Sequence, residues 1–291
     1  MRKPRILVTG KNGQLGKELQ KLSGSYPEFD FLFAGKEDLN LLNTADIREF
    51  IRSAEPDFFV NCAAYTAVDK AEQERELAYQ SNAEAVGIIA AACSEIHCTL
   101  LQISTDYVFN GQSRIPYRPD AETDPINYYG QTKWMGEQLA LKNCARTIVI
   151  RTSWVYSEFG NNFVKTMLRL LQERESINVV DDQSGSPTYA KDLAEAILQI
   201  IRKLGQGSEF QGGIYHFSNQ GVLSWYAFAL AIGREIHTSC KINPVPTSGY
   251  PTPARRPAYS VMETQKISDK FGVVPRPWLE SLKECLSHLK H

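Results

Sequence analysis

Gly10-Lys11-Asn12-Gly13-Gln14-Leu15-Gly16 is the stretch on which the reading of the fold turns. It follows the apolar run Arg5-Ile6-Leu7-Val8 directly and opens a helical pattern from Gln14 to Leu22, so three glycines stand between a strand and a helix. In that context Gly10 suits the tight turn, Gly13 lets the backbone approach a pair of phosphates, and Gly16 lets the helix pack close to the sheet. The N–H groups at the helix start, with the helix dipole behind them, favour an anion. The spacing is a short variant of the dinucleotide fingerprint, and its position after a strand is what gives it weight.

Outward from the turn, short apolar runs alternate with helical patterns, the signature of a parallel sheet covered on both faces. Phe31 to Phe33, Phe58 to Asn61, Leu100 to Ile103 and Thr147 to Arg151 read as further strands. Between them lie Thr44 to Ser53, opened by an Asn43/Thr44 cap, one long helix from about Glu74 to Glu95, and a helix beginning near Tyr129. Ala85, Ile88, Ile89 and Ala92 give the long helix its apolar face. Beyond Trp154 the alternation loosens. Helices are expected near Asn162 to Arg174, Tyr189 to Lys203 and Ser224 to Ile236, with short strands at Ile177 to Val180, Ile214 to Phe217 and Ile242 to Val245. Pro244 to Pro257 carries five prolines and reads as an extended loop, long enough to bind something. The expectation is an α/β chain: a Rossmann-type doubly wound parallel sheet over residues 1–155, binding NAD(P), and a smaller C-terminal α/β substrate-binding region over 156–291, interleaved with the first.

Composition narrows the partners. Lys plus Arg number 32 against 33 Asp plus Glu, which leaves no basic excess for a nucleic-acid backbone and no single-sign field for a membrane surface. The most apolar stretches, Val86 to Cys93 and Ile197 to Ile201, are far shorter than a bilayer span. Arg2, Lys3 and Arg5 lead into a strand rather than a secretory apolar core, so a cytoplasmic protein is expected. The six cysteines, scattered with no C-x-x-C pair, read as reduced thiols. The five histidines, His97, His216, His237, His288 and His291, offer no metal-ligand spacing, so no metal site is assigned.

An NAD site commonly carries an acid at the end of the second strand to hold the ribose hydroxyls. Here the chain reads Ala34-Gly35-Lys36, with Glu37 and Asp38 only afterwards. A lysine there suits a ribose phosphate, so NADPH is expected, with NADH left open.

Among the tyrosines only Tyr129 has a lysine four residues on, Lys133. At the start of a helix that follows the fourth strand, both side chains project from one face at the carboxyl end of the sheet. An ammonium beside a phenol favours the phenolate, so Lys133 is expected to move the Tyr129 pKa down from about 10. Ser104-Thr105-Asp106 ends the fourth strand, and a hydroxyl from Thr105, with Ser104 in reserve, can bind a carbonyl oxygen that Tyr129 protonates.

These blocks resemble the extended short-chain dehydrogenases and, within them, the dTDP-4-dehydrorhamnose reductases. The resemblance covers nearly the whole chain. It is carried by the glycine turn, Val60 to Glu72, Ser104 to Phe109, Tyr129 to Lys133, Arg151 to Tyr156, Gly160 to Phe163, Asp182-Gln183 with Ser186-Pro187-Thr188, and Pro251 to Pro257. It implies NADPH-linked reduction of the 4-keto group of dTDP-6-deoxy-L-lyxo-4-hexulose to dTDP-L-rhamnose. It also implies that Gly13, Gln14 and Leu15 touch the pyrophosphate, Asn40 and Leu41 the adenine end, and Ala64, Tyr65 and Thr66 the middle of the cofactor. Asn12 and Ala63, in the same matched blocks, complete the cofactor set. Thr105, Tyr129 and Lys133 become the catalytic set, and Thr105, Asp106, Trp154, Asn162 and Arg256 the substrate contacts, with Trp154 walling the sugar. Many relatives carry Asp where this chain has Asn40. Some dimerise through magnesium; no ligand spacing for Mg2+ shows, and both the ion and a homodimer stay open. A sugar-nucleotide epimerase or dehydratase shares the fold, but dehydratases follow the Thr-Asp with Glu, and here Tyr107 stands there. The resemblance extends further to the regulatory subunit of methionine adenosyltransferase, a non-catalytic NADP-binding module.

Overall fold

The structure, a computed structural model, describes residues 2–207 and 209–289, so His291 lies outside it. The first half of the chain runs β1 (Arg5–Thr9), α1 (Gln14–Ser23), β2 (Asp30–Ala34), α2 (Thr44–Ala54), β3 (Phe58–Asn61), α3 (Val68–Ala71), α4 (Arg75–Tyr79), α5 (Ala85–Glu95), β4 (Thr99–Thr105), α6 (Tyr128–Asn143) and β5 (Thr147–Thr152). The second runs β6 (Val155–Tyr156), α7 (Phe163–Glu173), β7 (Ser176–Val180), β8 (Ser184–Gly185), β9 (Thr188–Tyr189), α8 (Ala190–Gly205), β10 (Gly213–His216), β11 (Leu223–Ser224), α9 (Trp225–Glu235), β12 (Lys241–Val245), α10 (Gln265–Phe271) and α11 (Trp278–Leu289).

Six strands form one sheet in the order β10-β5-β4-β3-β1-β2, every pairing parallel. Because side chains alternate along a strand, each strand feeds two cores. Ile6, Val8, Val60, Leu101, Ile148 and Ile150 pack on one face under α1, α8 and α10. Leu7, Phe59 and Leu100 pack on the other, under α2, α5 and α6. Strand order reverses between β1 and β3, and a parallel sheet opens a crevice beyond the carboxyl ends of the strands at such a point. The glycine turn, leaving β1, sits there.

The chain returns to this sheet after Trp154. β10 pairs with β5 in register Ile214 to Val149, and α8 buries Leu193, Ile197 and Ile201 against the β1 side. The rest of the second half forms three two-stranded ladders around a separate core in which α7, α9 and α11 bury Val164, Leu171, Phe228, Ile232, Leu282 and Cys285.

The single helix expected from Glu74 to Glu95 is instead two helices flanking a π-turn at Gln80–Glu84. Asn82 there turns its side chain to the backbone N–H and C=O of Tyr65 and to the Thr132 hydroxyl, tying the turn to α6. Such turns interrupt helices where a side chain is needed elsewhere. The six cysteines are free thiols. Among the described residues no helix is long and apolar enough to cross a membrane, and no three His, Cys, Asp or Glu side chains group to hold a metal ion.

Candidate functional site

At the β1/β3 crevice lies a cleft of about 650 Å3. The first half of the glycine turn builds its floor. Gly10 has φ +72°, a conformation that L side chains avoid, and a Cβ there would meet the Ala63 backbone nitrogen at 2.8 Å. Gly13 is the N-cap of α1; no side chain caps this helix and no acid stands in its first turn. Helix geometry leaves the N–H groups of Gln14, Leu15 and Gly16 without intrahelical acceptors. A diphosphate fits what these residues offer: bare donors, positive dipole end, and no carboxylate to repel it.

Of the proposed cofactor contacts, Gly10, Asn12, Gly13, Gln14, Leu15, Lys36, Asn40, Leu41, Ala63, Ala64, Tyr65, Thr66, Tyr129 and Lys133 all line this cleft. Gly16 does not; it faces the turn, where an added Cβ would lie 2.2 Å from the Gly10 carbonyl oxygen. Sequence reasoning missed Leu39, Leu77, Ser81, Gly160 and Asn161. The last two come from the loop before α7, within a block that carries the family resemblance but in which only Asn162 was given a site role.

The end of β2 is arranged around Lys11. Its Nζ lies 2.5 Å from Asp38 and 3.0 Å from Glu37, and Asp38 also accepts the Gly35 N–H at 2.8 Å. Both acids following Lys36 are therefore spoken for by the glycine turn, and Lys36 itself is exposed at the cleft.

Tyr129 and Lys133 occupy the other end of the cleft, on the first turns of α6. The side chain of Asn127 caps that helix by accepting the Gly130 N–H at 2.8 Å. The Tyr129 ring packs edge-on to Tyr107, centroids 5.6 Å apart. Burial pushes its phenol up to about 12, opposed by a hydrogen bond with Thr105. Lys133 donates to the Ile103 carbonyl oxygen at 2.6 Å, and burial pulls its ammonium down to about 8, opposed chiefly by Glu137. The expected lowering of Tyr129 by Lys133 is thus not what the geometry gives: removal from water dominates both groups, and the ammonium is turned to a strand carbonyl.

Of the Ser104/Thr105 alternative, Ser104 lines the cleft, whereas Thr105 and its neighbour Asp106 do not. Ser104 Oγ donates to the buried Glu137 carboxylate at 2.5 Å, whereas Thr105 reaches Tyr129. Thr105 also accepts the Tyr107 N–H at 3.2 Å, capping the turn Asp106–Val108, and donates to Asp106 at 3.1 Å. Asp106 is buried, and burial pushes its carboxyl up to about 6 against hydrogen bonds from Ser260 and Thr105.

The remaining candidates lie outside the cleft lining. Asn162 caps α7 and donates to Gln14 Oε1 at 2.9 Å, linking the second half of the chain to the glycine turn. Trp154 follows β5 at φ +49° and stacks on Trp225, centroids 3.5 Å apart and planes within 10°. Trp225 is a partner that no spacing in the sequence announces. Arg256 is gripped end-on by Asp69, with Nη1–Oδ1 and Nη2–Oδ2 at 2.8 and 2.7 Å, so its fork is engaged within the protein. This pair fixes the Pro251–Pro257 loop against α3.

The model of the family described as RmlD substrate binding domain matches residues 4–291. The chain is 40% identical over 290 residues to a dTDP-4-dehydrorhamnose reductase of Aggregatibacter actinomycetemcomitans, covering 98% of this chain and 99% of that one. Among solved structures it is similar to a dTDP-4-dehydrorhamnose reductase of Clostridium acetobutylicum, at 38% identity and TM-score 0.93, over 99% of this chain and 100% of the other. It is also similar to the Bacillus anthracis dTDP-4-dehydrorhamnose reductase in complex with NADP, at 39% identity and TM-score 0.92, with the same coverage.

Proposed function

The chain belongs to the dTDP-4-dehydrorhamnose reductase family, and from that premise we propose that it reduces the 4-keto group of dTDP-6-deoxy-L-lyxo-4-hexulose with NADPH, giving dTDP-L-rhamnose. One observation carries the reading: an uncapped helix start at Gly13 and the Tyr129/Lys133 pair open on the same cleft. Bound there, NADPH supplies the hydride.

The chain's own residues do the rest. The donors of Gln14 and Leu15 hold the diphosphate, and Ala63, Ala64, Tyr65 and Thr66 border the middle of the cleft. Lys36 faces the ribose phosphate. The engagement of Glu37 and Asp38 by Lys11 supports NADPH over NADH, because those acids are neutralised rather than presented to a dianionic group. The Thr105 hydroxyl orients the carbonyl oxygen and Tyr129 delivers the proton to it, with Lys133 holding positive charge beside the phenolate that results. A phenol kept neutral by burial is suited to donating, which is the direction of a reduction. Residues 1–155, joined by α8 and β10, hold the cofactor in this reading, and the remainder of 156–291 holds the sugar nucleotide.

Purified protein given the dTDP-4-keto sugar produced by the preceding epimerase should consume one NADPH per rhamnosyl product. NADPH should be preferred to NADH by about tenfold in kcat/KM, some 1.4 kcal/mol. Binding of NADPH without its net oxidation would instead indicate an epimerase, a dehydratase or a regulatory module.

For Arg256 the fork on Asp69 supports a shared role: the pair shapes the substrate side of the site, and the guanidinium N–H groups left over from Asp69 and the Ala254 carbonyl meet the diphosphate. Arg256→Ala should raise the KM for the keto sugar about tenfold or more with the KM for NADPH unchanged. Steady-state kinetics with an unaltered sugar KM would remove Arg256 from substrate binding.

A further inference from the structure

Behind Lys133, one helical turn on, Glu137 is fully buried. Arg151 on β5, itself 1% exposed, donates to it through Nε at 2.9 Å and Nη2 at 2.7 Å, and Ser104 on β4 adds a third hydrogen bond. Among the described residues Arg151 Nη1 has no hydrogen-bond partner, and the guanidinium lies over the Phe109 ring at 5.1 Å. Taking two opposite charges wholly out of water is expensive, and a packed apolar pair commonly serves stability as well. Something other than stability has to account for an ion pair in this place. Its location suggests what: the bonds run from the strand that ends in Thr105 and from its neighbour into the helix that carries Tyr129 and Lys133.

We propose that Glu137 is a positioning residue of the active site, latched to β4 and β5 by Ser104 and Arg151 so that α6 stands at fixed height and a negative charge lies beside Lys133 to keep it an ammonium. Residues four apart on a helix are neighbours at about 6 Å, so Lys133 and Glu137 share a face of α6, and Arg151 approaches Glu137 from β5. Among the described residues, the other titratable groups that face Lys133 are Cys62, just after β3, which acts on it in the same sense, and Tyr129 on its own helix. Asp106 acts on Tyr129, and His216 on β10 lies beyond Arg151, held neutral by burial and by that guanidinium. Glu137 is the largest of the influences that oppose the cost of burying the Lys133 charge. No residue type in the Y-x-x-x-K pattern reveals this, because it depends on what strand positions 104 and 151 bring to the helix.

The inference deepens the proposed reduction and rests on it for the consequence in turnover, but the charge on Lys133 can be read without turnover. Lysine 15Nζ resonances, with Lys133 assigned by Lys133→Arg, are titrated in the NADP-bound protein. Glu137→Gln should lower the Lys133 midpoint by about one pH unit or more, and Glu137→Asp should return most of it. The alkaline limb of kcat should move to lower pH by the same amount, since activity is lost as the ammonium deprotonates. If Glu137→Gln does not fold because Arg151 is left unpaired, Glu137→Met with Arg151→Met removes both charges, and a smaller downward movement is expected, because the more distant Arg151 cation goes with the carboxylate. A midpoint that stays at the wild-type value in Glu137→Gln, or in the double variant, overturns the proposal. Wild-type protein that turns over no dTDP-keto sugar would defeat the proposed function, while the titration still decides the role of Glu137.

Discussion

Tyr129→Phe is expected to cut kcat by about a hundred- to ten-thousandfold while leaving thermal stability and the NADPH Kd near their wild-type values. The substitution removes one oxygen. The ring keeps its edge-on contact with Tyr107 and its packing against Ala71 and Ala78, so neither the fold of α6 nor the cleft should change. What disappears is the group that meets Thr105 and opens on the cleft. Burial pushes this phenol up to about 12, so at neutral pH it stands protonated and able to give a proton to the oxygen that the reduction leaves charged. Single-turnover oxidation of NADPH at saturating keto sugar measures the effect directly. A rate within about threefold of wild type would mean that water or another side chain protonates the alkoxide, and the mechanism given to Tyr129 would fall.

How much of this was legible depended on the distance along the chain over which each feature is encoded. The glycine turn and the Tyr129/Lys133 pair are local patterns, three and four residues apart; the turn's place at the end of β1 follows from the apolar run before it, and the pair's from the helix start after the loop that leaves β4. The strands β1, β3, β4 and β5 were readable for the same reason: buried on both faces, they are nearly continuous apolar stretches. The return of β10 to the edge of the main sheet was not, because a four-residue strand in a looser region looks the same whether it pairs with β5 or with a neighbour in the second half. α10 and α11 fall after the proline-rich loop and went unread, although the spacing of Leu282, Cys285 and Leu286 on α11 carries a helical signal. The π-turn at Asn82 is invisible to periodicity, since it shifts the phase of the pattern by one residue within a run that remains helical. Pairs such as Asp69 with Arg256, 187 residues apart, and Glu137 with Arg151 exist only through the fold. The expected direction of the Tyr129 shift failed on burial: the spacing reveals a neighbouring charge but not the water both groups have lost.

Gly16→Ala should be the most damaging single methyl in the glycine turn, and comparing it with Gly13→Ala separates two uses of glycine that the motif runs together. A Cβ on Gly16 would lie 2.2 Å from the Gly10 carbonyl oxygen and 2.8 Å from the Lys11 Cα, both backbone atoms that no rotamer change can move. The helix must therefore back away from the turn, and Leu15 and Leu19 of α1, which are packed against β1 and α8, go with it. Overpacking of this kind costs about 1–3 kcal/mol, so the melting temperature should fall by several degrees and NADPH affinity should fall with it. At Gly13 the nearest contact would be 3.3 Å, again to the Gly10 carbonyl oxygen, which a few tenths of an ångström relieve. That methyl instead projects at the N-cap, where the diphosphate has to approach the bare N–H groups. Gly13→Ala should keep the wild-type melting temperature and raise the NADPH Kd about tenfold or more, roughly 1.4 kcal/mol. Thermal melts and fluorescence titration of NADPH on the two variants test the distinction. Equal losses of stability in both, or an NADPH Kd that Gly13→Ala leaves untouched, would show that the turn does not bring its backbone against the cofactor's phosphates.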